Sequence, residues 1–386
     1  MSGPAISVTR RSSAAAALLG EHHWGSAGLY SSPAWWHAVE LMRPEVDIRY
    51  LCRDLSSEER AIIPGYYYDP GRQGDPYATN WWTSEPLWPG QRPRDPWAIV
   101  GGCSGLYGGF AGTSGLGLVS ASSALFPGIF AYNRSAGFNT IFPYFSADVR
   151  DALAEAPGVS PASMPLYGVH AVLDLPYRDF DDYLQHLPSQ SRAIVRRDRR
   201  RFAASQFGLF KSGISESASY FAELWDTVET HHGAAPNLTL RRSMLKAQAD
   251  ALDAVAHVFT VVDLEGKPIA TSLNFVDQSA LYCRLVGMDY AKARESGAYF
   301  EVMYYANIEL SLAHGYDRVY FGMDALKAKI VRGSHLEPLY CLFDGMRGQS
   351  IDSAAVASIS AGIKNRVLPQ LSELSSSSFK LPSYLS

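Results

Sequence analysis

The sequence lacks the features that mark several large classes of protein. Its 386 residues carry a net charge of −4, which disfavours a protein that coats nucleic acid through many cations. The four cysteines are widely spaced and form no CxxC pair, so we expect buried thiols in a reducing cytoplasm, not a disulfide framework or a zinc site. No run of about 18 apolar residues occurs, and no membrane-spanning helix is expected.

The glycine-rich stretch from residue 101 to 117 lacks the common phosphate-binding motifs. It holds eight glycines, but neither GxGxxG nor the Walker pattern occurs. Gly102-Cys103-Ser104-Gly105 also lacks the residue that a nucleophile elbow needs between serine and the second glycine. We expect a tightly packed loop, with a phosphate cradle as the weaker alternative. The rings of the adjacent pairs His22-His23 and His231-His232 diverge, so no metal site is expected.

What the sequence does contain is a block of arginines. Within ten residues stand Arg192, Arg196, Arg197, Arg199, Arg200 and Arg201. Between Tyr183 and Phe202 apolar residues recur at helical spacing, which predicts one amphipathic helix with an arginine-covered outer face. Two interpretations stay open: a solvated helix face, or a surface that binds phosphate or an acidic partner.

The order of the predicted elements indicates two domains. We expect a flexible N-terminus at residues 1–20, a first domain at 21–165 and a second at 166–386. A first helix is predicted to begin at Ser31-Ser32-Pro33, where a serine can cap and proline suits the first turn. In the second domain, strands are predicted over 258–263, 268–276, 280–287 and 318–321, with a helix over 299–314 before the last strand. This order is typical of a mixed-sheet acyltransferase.

A long stretch from residue 64 to 97 combines acidic residues with large rings. Asp69, Asp75 and Glu85 lie there among tyrosines and tryptophans such as Trp82. Loops of this length tend to be functional, and carboxylates beside rings suit a cationic small molecule. The alternative is a loop packed by its own rings.

Four segments between about residues 180 and 340 carry motifs of a known family. They are Tyr183-Leu184 with the arginine block, Gly266–Ser272, Leu281–Tyr290 followed by Tyr304 and Ala313-His314-Gly315, and Gly322–Leu339. Together they resemble the GNAT superfamily, in particular its FemAB-like transferases of peptidoglycan biosynthesis. The resemblance implies an α+β fold of two GNAT-like domains, each a twisted and mostly antiparallel mixed sheet flanked by helices.

The resemblance also concerns the donor. Acetyl-CoA users in this superfamily carry an Arg/Gln-x-x-Gly-x-Gly/Ala turn whose backbone N–H groups hold pyrophosphate. Arg294 and Gly297 keep two of these positions, but Tyr299 stands where a small residue is expected. No tightly bound cofactor is expected, and the candidate co-substrates are acyl-CoA and aminoacyl-tRNA. Members without the turn resemble aminoacyl-tRNA-dependent transferases.

The same resemblance implies an active site where the strand carrying Tyr282 separates from its neighbour. Transfer to an amine needs groups that hold a carbonyl and move protons. We expect Asn274 and Tyr282 to donate hydrogen bonds to an oxyanion, Tyr304 to act as an acid and His170 as a base. For each of them a structural role in the core is the alternative.

Substrate binding is expected from a second set of residues. The candidates are Arg284, Ser272, Asp324, Lys329, Arg332, Asp69, Glu85 and Trp82. Arg284 lies mid-strand in an apolar run and suits a carboxylate or phosphate. Lys329 and Arg332 lie one helical turn apart and suit the same anions, with structural pairing to nearby carboxylates as the alternative.

These observations favour a cytoplasmic bacterial transferase that moves an acyl or aminoacyl group onto the amine of a small metabolite, in specialised-metabolite or cell-wall-related biosynthesis. Two further hypotheses stay open. One is a GNAT-fold enzyme of a non-acyl step such as ring closure, and the other is a non-catalytic subunit of a heteromer. Tight binding of CoA would favour acyl transfer, and salt-sensitive binding of tRNA would favour aminoacyl transfer. Binding of neither would favour one of the two further hypotheses. A homodimer or heterodimer is compatible with each.

Overall fold

The computed structural model describes residues 6–68, 96–102, 104–344, 353–372, 374 and 379–385. Its first elements are β1 (Ser7–Thr9), α1 (Ser12–Leu19), β2 (His23–Gly25), α2 (Pro33–Met42), β3 (Asp47–Asp54), β4 (Arg60–Tyr68), β5 (Trp97–Val100), β6 (Ala111–Thr113), α3 (Leu118–Ser135), β7 (Asn139–Phe145) and α4 (Ala147–Ala154). The predicted binding residues Asp69, Asp75, Trp82 and Glu85 lie outside the described residues.

The chain continues with a second series of elements. They are β8 (Leu166–Asp174), α5 (Phe180–His186), α6 (Ser189–Ser205), β9 (Gly208–Ser212), α7 (Ile214–His231), α8 (Leu238–Leu252), β10 (Ala256–Val262), β11 (Pro268–Asp277), β12 (Ala280–Met288), α9 (Tyr290–Ser296), α10 (Ala298–Phe300), α11 (Ala306–His314), β13 (Arg318–Gly322), α12 (Leu326–Ile330), β14 (His335–Asp344) and α13 (Ser353–Leu371). One π-helical turn, Glu301–Tyr305, joins α10 to α11.

The chain divides into two compact units. The first comprises Met1–Val169, Glu337–Ser372 and Leu381–Ser386, and the second comprises His170–Leu336 and Glu373–Lys380. The sequence assigned everything after residue 165 to one domain. In the structure the chain returns to the first unit after Leu336, because β14 pairs antiparallel with β7.

Each unit has a mixed, mostly antiparallel sheet. In the first unit the strand order is β1-β3-β4-β5-β7-β14, with β6 paired to β2 and β4. In the second unit it is β8-β13-β12-β11-β10-β9. One parallel pair stands in each described sheet, β5 with β7 and β12 with β13, and a helical crossover joins its two strands. The expected α+β fold is therefore confirmed.

The described part of the N-terminus is ordered by contacts, contrary to the expectation of a flexible segment. β1 pairs antiparallel with β3. Ala15 and Leu19 of α1 are buried, and Ser12 donates hydrogen bonds to Glu40 from both its amide, at 2.6 Å, and its hydroxyl, at 2.7 Å. The alanine-rich α1 hides too little apolar area to fold alone, so these contacts hold it.

Helix boundaries follow local chemistry. Ser32 caps α2 by accepting a hydrogen bond from the amide of Trp35, with Pro33 in the first turn, as predicted. The single helix predicted through the arginine block is instead two helices, α5 and α6. The chain is extended at Leu187, because the residue before a proline, here Pro188, is disfavoured in the helical region.

The glycine-rich loop of the first unit is tightly packed. A Cβ on Gly108 would lie 2.0 Å from the carbonyl oxygen of Pro143, and one on Gly109 would lie 2.4 Å from the Cβ of Ala27. These glycines therefore allow close backbone approach, as expected for a packed loop.

Gly287 of β12 provides a test of the second unit's packing. A Cβ there would lie 2.8 Å from both the Cβ of Leu224 and the backbone nitrogen of Trp225 in α7. We expect Gly287→Ala to lower the free energy of unfolding by about 1–3 kcal/mol through overpacking, measured by urea denaturation. The control Gly208→Ala, in edge strand β9, meets only the Cγ2 of Val262 at 3.2 Å. A cost as small as that of the control would contradict the packing.

Candidate active site

A gap opens in the second unit where its two parallel strands separate. β12 pairs with β13 only from Ala280 to Tyr282, opposite Arg318 to Tyr320, and then continues to Met288 along β11. Tyr282 and Tyr320 stack at the closed end, with ring centroids 4.7 Å apart and planes 9° from parallel. Tyr282 is thus packed at the base of the gap.

Arg284 lies just beyond this point, at a β-bulge. Leu273 of β11 is opposite Leu285, while Asn274 is opposite Cys283. Arg284 is therefore the extra residue of β12. A bulge re-aims the side chain that it carries, and this one is half-buried on the part of β12 that has left β13.

Lys329 is the unusual charge of the site. It lies on the five-residue helix α12 and is only 4% exposed. Burial lowers the pKa of its ammonium group from 10.5 to about 8, although nearby Asp324 and Cys283 favour the charged form. No hydrogen bond or ion pair holds the ammonium group among the described residues. A lysine that titrates this close to neutrality can both accept and return a proton.

His170 packs beside Lys329 in a structural role. Its Nε2 accepts a hydrogen bond from the amide of Gly322 at 2.7 Å, and the residue is fully buried. Burial, together with the nearby Lys329 charge, lowers the pKa of this imidazole well below its ordinary value. Since the acceptor nitrogen is already occupied, the geometry speaks against the base role that we expected for His170.

Ser272 and Asn274 are also occupied, Ser272 by the π-helical turn and Asn274 by Ser272 and β10. The hydroxyl of Ser272 donates to the carbonyl oxygen of Val302 at 2.7 Å. The Nδ2 of Asn274 donates to Ser272 Oγ at 3.0 Å and to the carbonyl oxygen of His257 at 3.1 Å. A π-turn leaves carbonyl groups without their usual helical partners, and Asn307 also donates to Val302. The side chains of Ser272 and Asn307 therefore satisfy the backbone of the turn, while Asn274 bonds to Ser272 and His257.

The guanidinium group of Arg332 is occupied by protein groups. It donates to Asp198 at 2.6 Å and to the hydroxyl of Tyr305 at 3.0 Å, and it lies 4.5 Å from the ring centre of Tyr304. The expected pair of Lys329 and Arg332 as an anion clamp is therefore wrong for Arg332. Tyr304 is fully buried, and burial raises its pKa well above 10. Its side chain therefore belongs to the packed core of the second unit.

The turn that would hold pyrophosphate in a CoA enzyme is covered by α6. Arg294 is exposed, whereas Gly297 is buried with φ +79°. A Cβ on Gly297 would lie 3.4 Å from the carbonyl oxygen of Asp198. Arg201 donates to the carbonyl oxygen of Glu295 at 2.5 Å. A Cβ would fit here at ordinary contact distance, so glycine is required for the positive φ, and α6 already lies against the turn.

The arginines of α6 point in different directions, some toward the core and some toward solvent. Arg199 turns inward to Glu301 at 2.6 Å and Glu309 at 2.7 Å. Arg196 and Arg200, one turn apart, are exposed, and no ion pair or hydrogen bond holds them within the described residues. α6 therefore shows an uncompensated cationic strip, as predicted.

Sequence reasoning gave no place in the site to three buried groups, Asp198, Glu301 and Cys283, although Cys283 was expected to be a buried thiol. Burial raises the pKa of Glu301 to about 7, despite its bond to Arg199. Asp198 carried a signal, since it is the one acid within the arginine block. Glu301 and Cys283 had none, because their surroundings come from distant segments.

Comparison with known proteins identifies the family. Residues 149–350, more than half of the chain, match the FemAB-like family, described as peptidoglycan biosynthesis/recognition. The chain belongs to the FemAB-like family. A comparison with curated proteins gives no match.

Solved structures agree with this FemAB-like assignment at the level of fold. FemX is 12% identical, with a TM-score of 0.56 over 87% of this chain and 96% of FemX. A conserved protein of unknown function from Bacteroides thetaiotaomicron is 12% identical, with a TM-score of 0.51 over 80% of this chain and 90% of the other. At such identities the likeness shows a shared fold alone.

No helix among the described residues is long and apolar enough to cross a membrane. No group of three or more His, Cys, Asp or Glu side chains among them is arranged to hold a metal ion.

The buried Lys329 predicts a pH-dependent stability. Between pH 8 and 10.5 the unfolded chain retains a proton that the folded chain has released, so unfolding becomes less favourable as the pH rises. Relative to Lys329→Met, the wild type should gain about 3 kcal/mol of unfolding free energy across this range. Urea denaturation from pH 7 to 10.5 measures the difference. Parallel pH profiles for the two proteins would contradict a buried ammonium group.

Proposed function

We propose that the protein transfers an aminoacyl group from an RNA carrier onto the amine of a peptidoglycan precursor, in the gap between β12 and β13. The observation that carries the proposal is the buried Lys329, which has no hydrogen bond or ion pair among the described residues and lies near Cys283, where β12 leaves β13. The FemAB-like family's description as peptidoglycan biosynthesis/recognition supports the acceptor class. It gives no support to a specialised metabolite.

Lys329 is suited to the proton transfers of this reaction. The neutral acceptor amine attacks the ester carbonyl carbon of the donor. A C–N bond forms, the C–O bond to the carrier's ribose breaks, and the amine loses a proton. Neutral Lys329 takes this proton and returns it to the leaving ribose oxygen, so the lysine ends unchanged. A pKa of about 8 makes both protonation states accessible near neutrality.

The remaining groups of the gap suit orientation of the substrates. Arg284, re-aimed by the bulge, carries a permanent charge that suits a carboxylate or phosphate of the acceptor. Asp324 is exposed after β13 and suits an ammonium group of the amino acid being transferred. Tyr282 fixes the base of the gap through its stack on Tyr320.

The contacts of α6 favour RNA over acyl-CoA as the carrier of the donor group. The Gly297 turn packs against Asp198 and lies beside Arg201 of that helix, which leaves little room for a pyrophosphate against its backbone. The outer face of α6 instead presents Arg196 and Arg200. Arginine binds phosphate through paired N–H donors, so these side chains suit a phosphodiester strand.

A transfer assay tests the function. The protein is incubated with tRNA charged with a labelled amino acid and a precursor peptide that carries a free side-chain amine. We expect labelled amide product, and a drop in kcat of at least about 100-fold for Lys329→Met. Lys327→Met, an exposed lysine on the same helix, is the matched control and should retain activity. Transfer from acetyl-CoA alone, or full activity of Lys329→Met, would overturn the proposal.

The arginine strip gives a separate prediction. Because each lost phosphate contact reduces the salt dependence of binding, we expect Arg196→Gln/Arg200→Gln to reduce the slope of log K against log salt by about 1.5. Fluorescence anisotropy with labelled tRNA measures the slope. The control pair Arg178→Gln/Arg242→Gln lies in the same unit but outside α6, and should leave the slope unchanged. Equal slopes for the wild type and the α6 variant would contradict RNA binding by this strip.

A further inference from the structure

Asp198 is the one acidic residue among the arginines of α6, and its side chain is turned fully inward. Its side chain is 4% exposed. Its Oδ2 accepts hydrogen bonds from the guanidinium group of Arg332 at 2.6 Å and from the hydroxyl of Tyr305 at 2.9 Å. Its Oδ1 accepts a bond from Arg197 at 3.2 Å. An acid placed among arginines on the helix thus joins a partner that follows it by more than a hundred residues.

Arg332 is held on every side by this arrangement. Beyond Asp198, its Nε donates to Tyr305 at 3.0 Å and its second terminal nitrogen donates to the carbonyl oxygen of Ala328 at 2.7 Å. The guanidinium plane lies 4.3 Å from the ring centre of Phe300. The hydroxyl of Tyr183 donates to the backbone carbonyl of Arg332 at 2.9 Å. The side chain therefore anchors its segment.

The segment so anchored is the one that carries Lys329. The amide of Arg332 donates to the carbonyl oxygen of Lys329 at 2.9 Å, and that of Ser334 donates to the same oxygen at 3.2 Å. α12 has only five residues and begins after Ala325, whose φ is +52°. So short a helix has no orientation of its own, and the residues that hold its end decide where Lys329 points.

We propose that Asp198 is a positioning residue for Lys329, acting through Arg332. The inference rests on the proposed function, in which Lys329 moves the proton. Asp198 touches neither the gap nor the reacting atoms, and its effect on transfer passes through the direction and surroundings of the Lys329 amine.

The variant Asp198→Asn tests this role. The amide keeps the volume and an acceptor oxygen but removes the charge, which leaves the Arg332 cation uncompensated one helical turn from Lys329. We expect kcat for transfer to fall by about 100-fold with the KM of the acceptor unchanged. We also expect Lys329 to lose its proton at a lower pH than in the wild type, because an added cation disfavours another.

A readout independent of turnover measures that titration. Acetic anhydride modifies only neutral amines, and mass spectrometry of the Lys329 peptide gives its rate of modification across pH 6 to 10. The charged or titratable groups that face Lys329 are Asp324, Cys283 and His170. All three are unchanged in the variant, so a shifted profile comes from the Asp198–Arg332 pair.

Two further variants separate positioning from stability. Asp226→Asn breaks another acid–arginine pair of the same unit, whose Asp226 carboxylate lies 3.5 Å from the guanidinium group of Arg241. It should lower the midpoint of thermal unfolding without moving the Lys329 profile. Tyr305→Phe removes one hydroxyl from the network and spares the direct ion pair. Should Asp198→Asn fail to fold, Tyr305→Phe carries the test, with a smaller effect on kcat in the same direction.

The outcomes are distinct. A shifted Lys329 profile in Asp198→Asn or Tyr305→Phe, absent in Asp226→Asn, supports the positioning role. The same shift in a protein without transferase activity overturns the proposed function and leaves the coupling between the two residues intact. An unchanged profile and kcat in folded Asp198→Asn or Tyr305→Phe, with transferase activity in the wild type, overturns the positioning role alone.

Discussion

The ion pair between Asp198 and Arg332 is the constraint on which the second unit depends. Both side chains are almost completely removed from water, at 4% and 3% exposure. Such a pair returns the cost of its desolvation only when every remaining donor and acceptor is satisfied. Tyr305, Ala328 and the surrounding rings meet that condition here. Loss of either partner would leave a buried charge, at a cost of about 3–5 kcal/mol.

This constraint gives the arginine block more than one task. The residues that face inward, Asp198 and Arg199, tie α6 to α12 and to the π-helical turn. Arg201 covers the turn before α10. Arg196 and Arg200 face solvent. A charge-rich helix is thus both a fixed wall and a cationic surface, and fixing its inner face keeps the outer arginines in a regular row.

Local rules predicted the strands of the second unit well, because runs rich in apolar residues are separated by polar turns, such as Glu265-Gly266-Lys267 between β10 and β11. The cap at Ser32 was equally readable. The break at Pro188 also follows from a local rule, the restriction that proline places on the residue before it. The helical spacing of the apolar residues across this point indicated a single helix instead. What no local rule contains is direction. Ser272 and Asn274 share a sheet face, but the hydroxyl of Ser272 donates to a carbonyl of the π-turn and the amide of Asn274 donates to Ser272.

Lys329 and Arg332 show the same limit most clearly. They lie one turn apart and looked equivalent, yet Arg332 is neutralised by a residue 134 positions away, while Lys329 has no such partner in the part of the chain that the structure describes. Spacing along the chain cannot distinguish the two, because the difference comes from α6.

The contrast between these two cations also argues for the chemistry. A site that only held a phosphate would be better served by a permanent charge, since arginine stays protonated and binds with paired donors. In this FemAB-like protein the permanent charge is the buried anchor, and the group left unpaired near the gap is the one whose charge is labile. Keeping a lysine there lowers the stability of the folded state at neutral pH. The proposed function explains this loss of stability, because a neutral amine is needed to accept the proton of the attacking amine. A lysine with a pKa of about 8 can accept that proton and release it again.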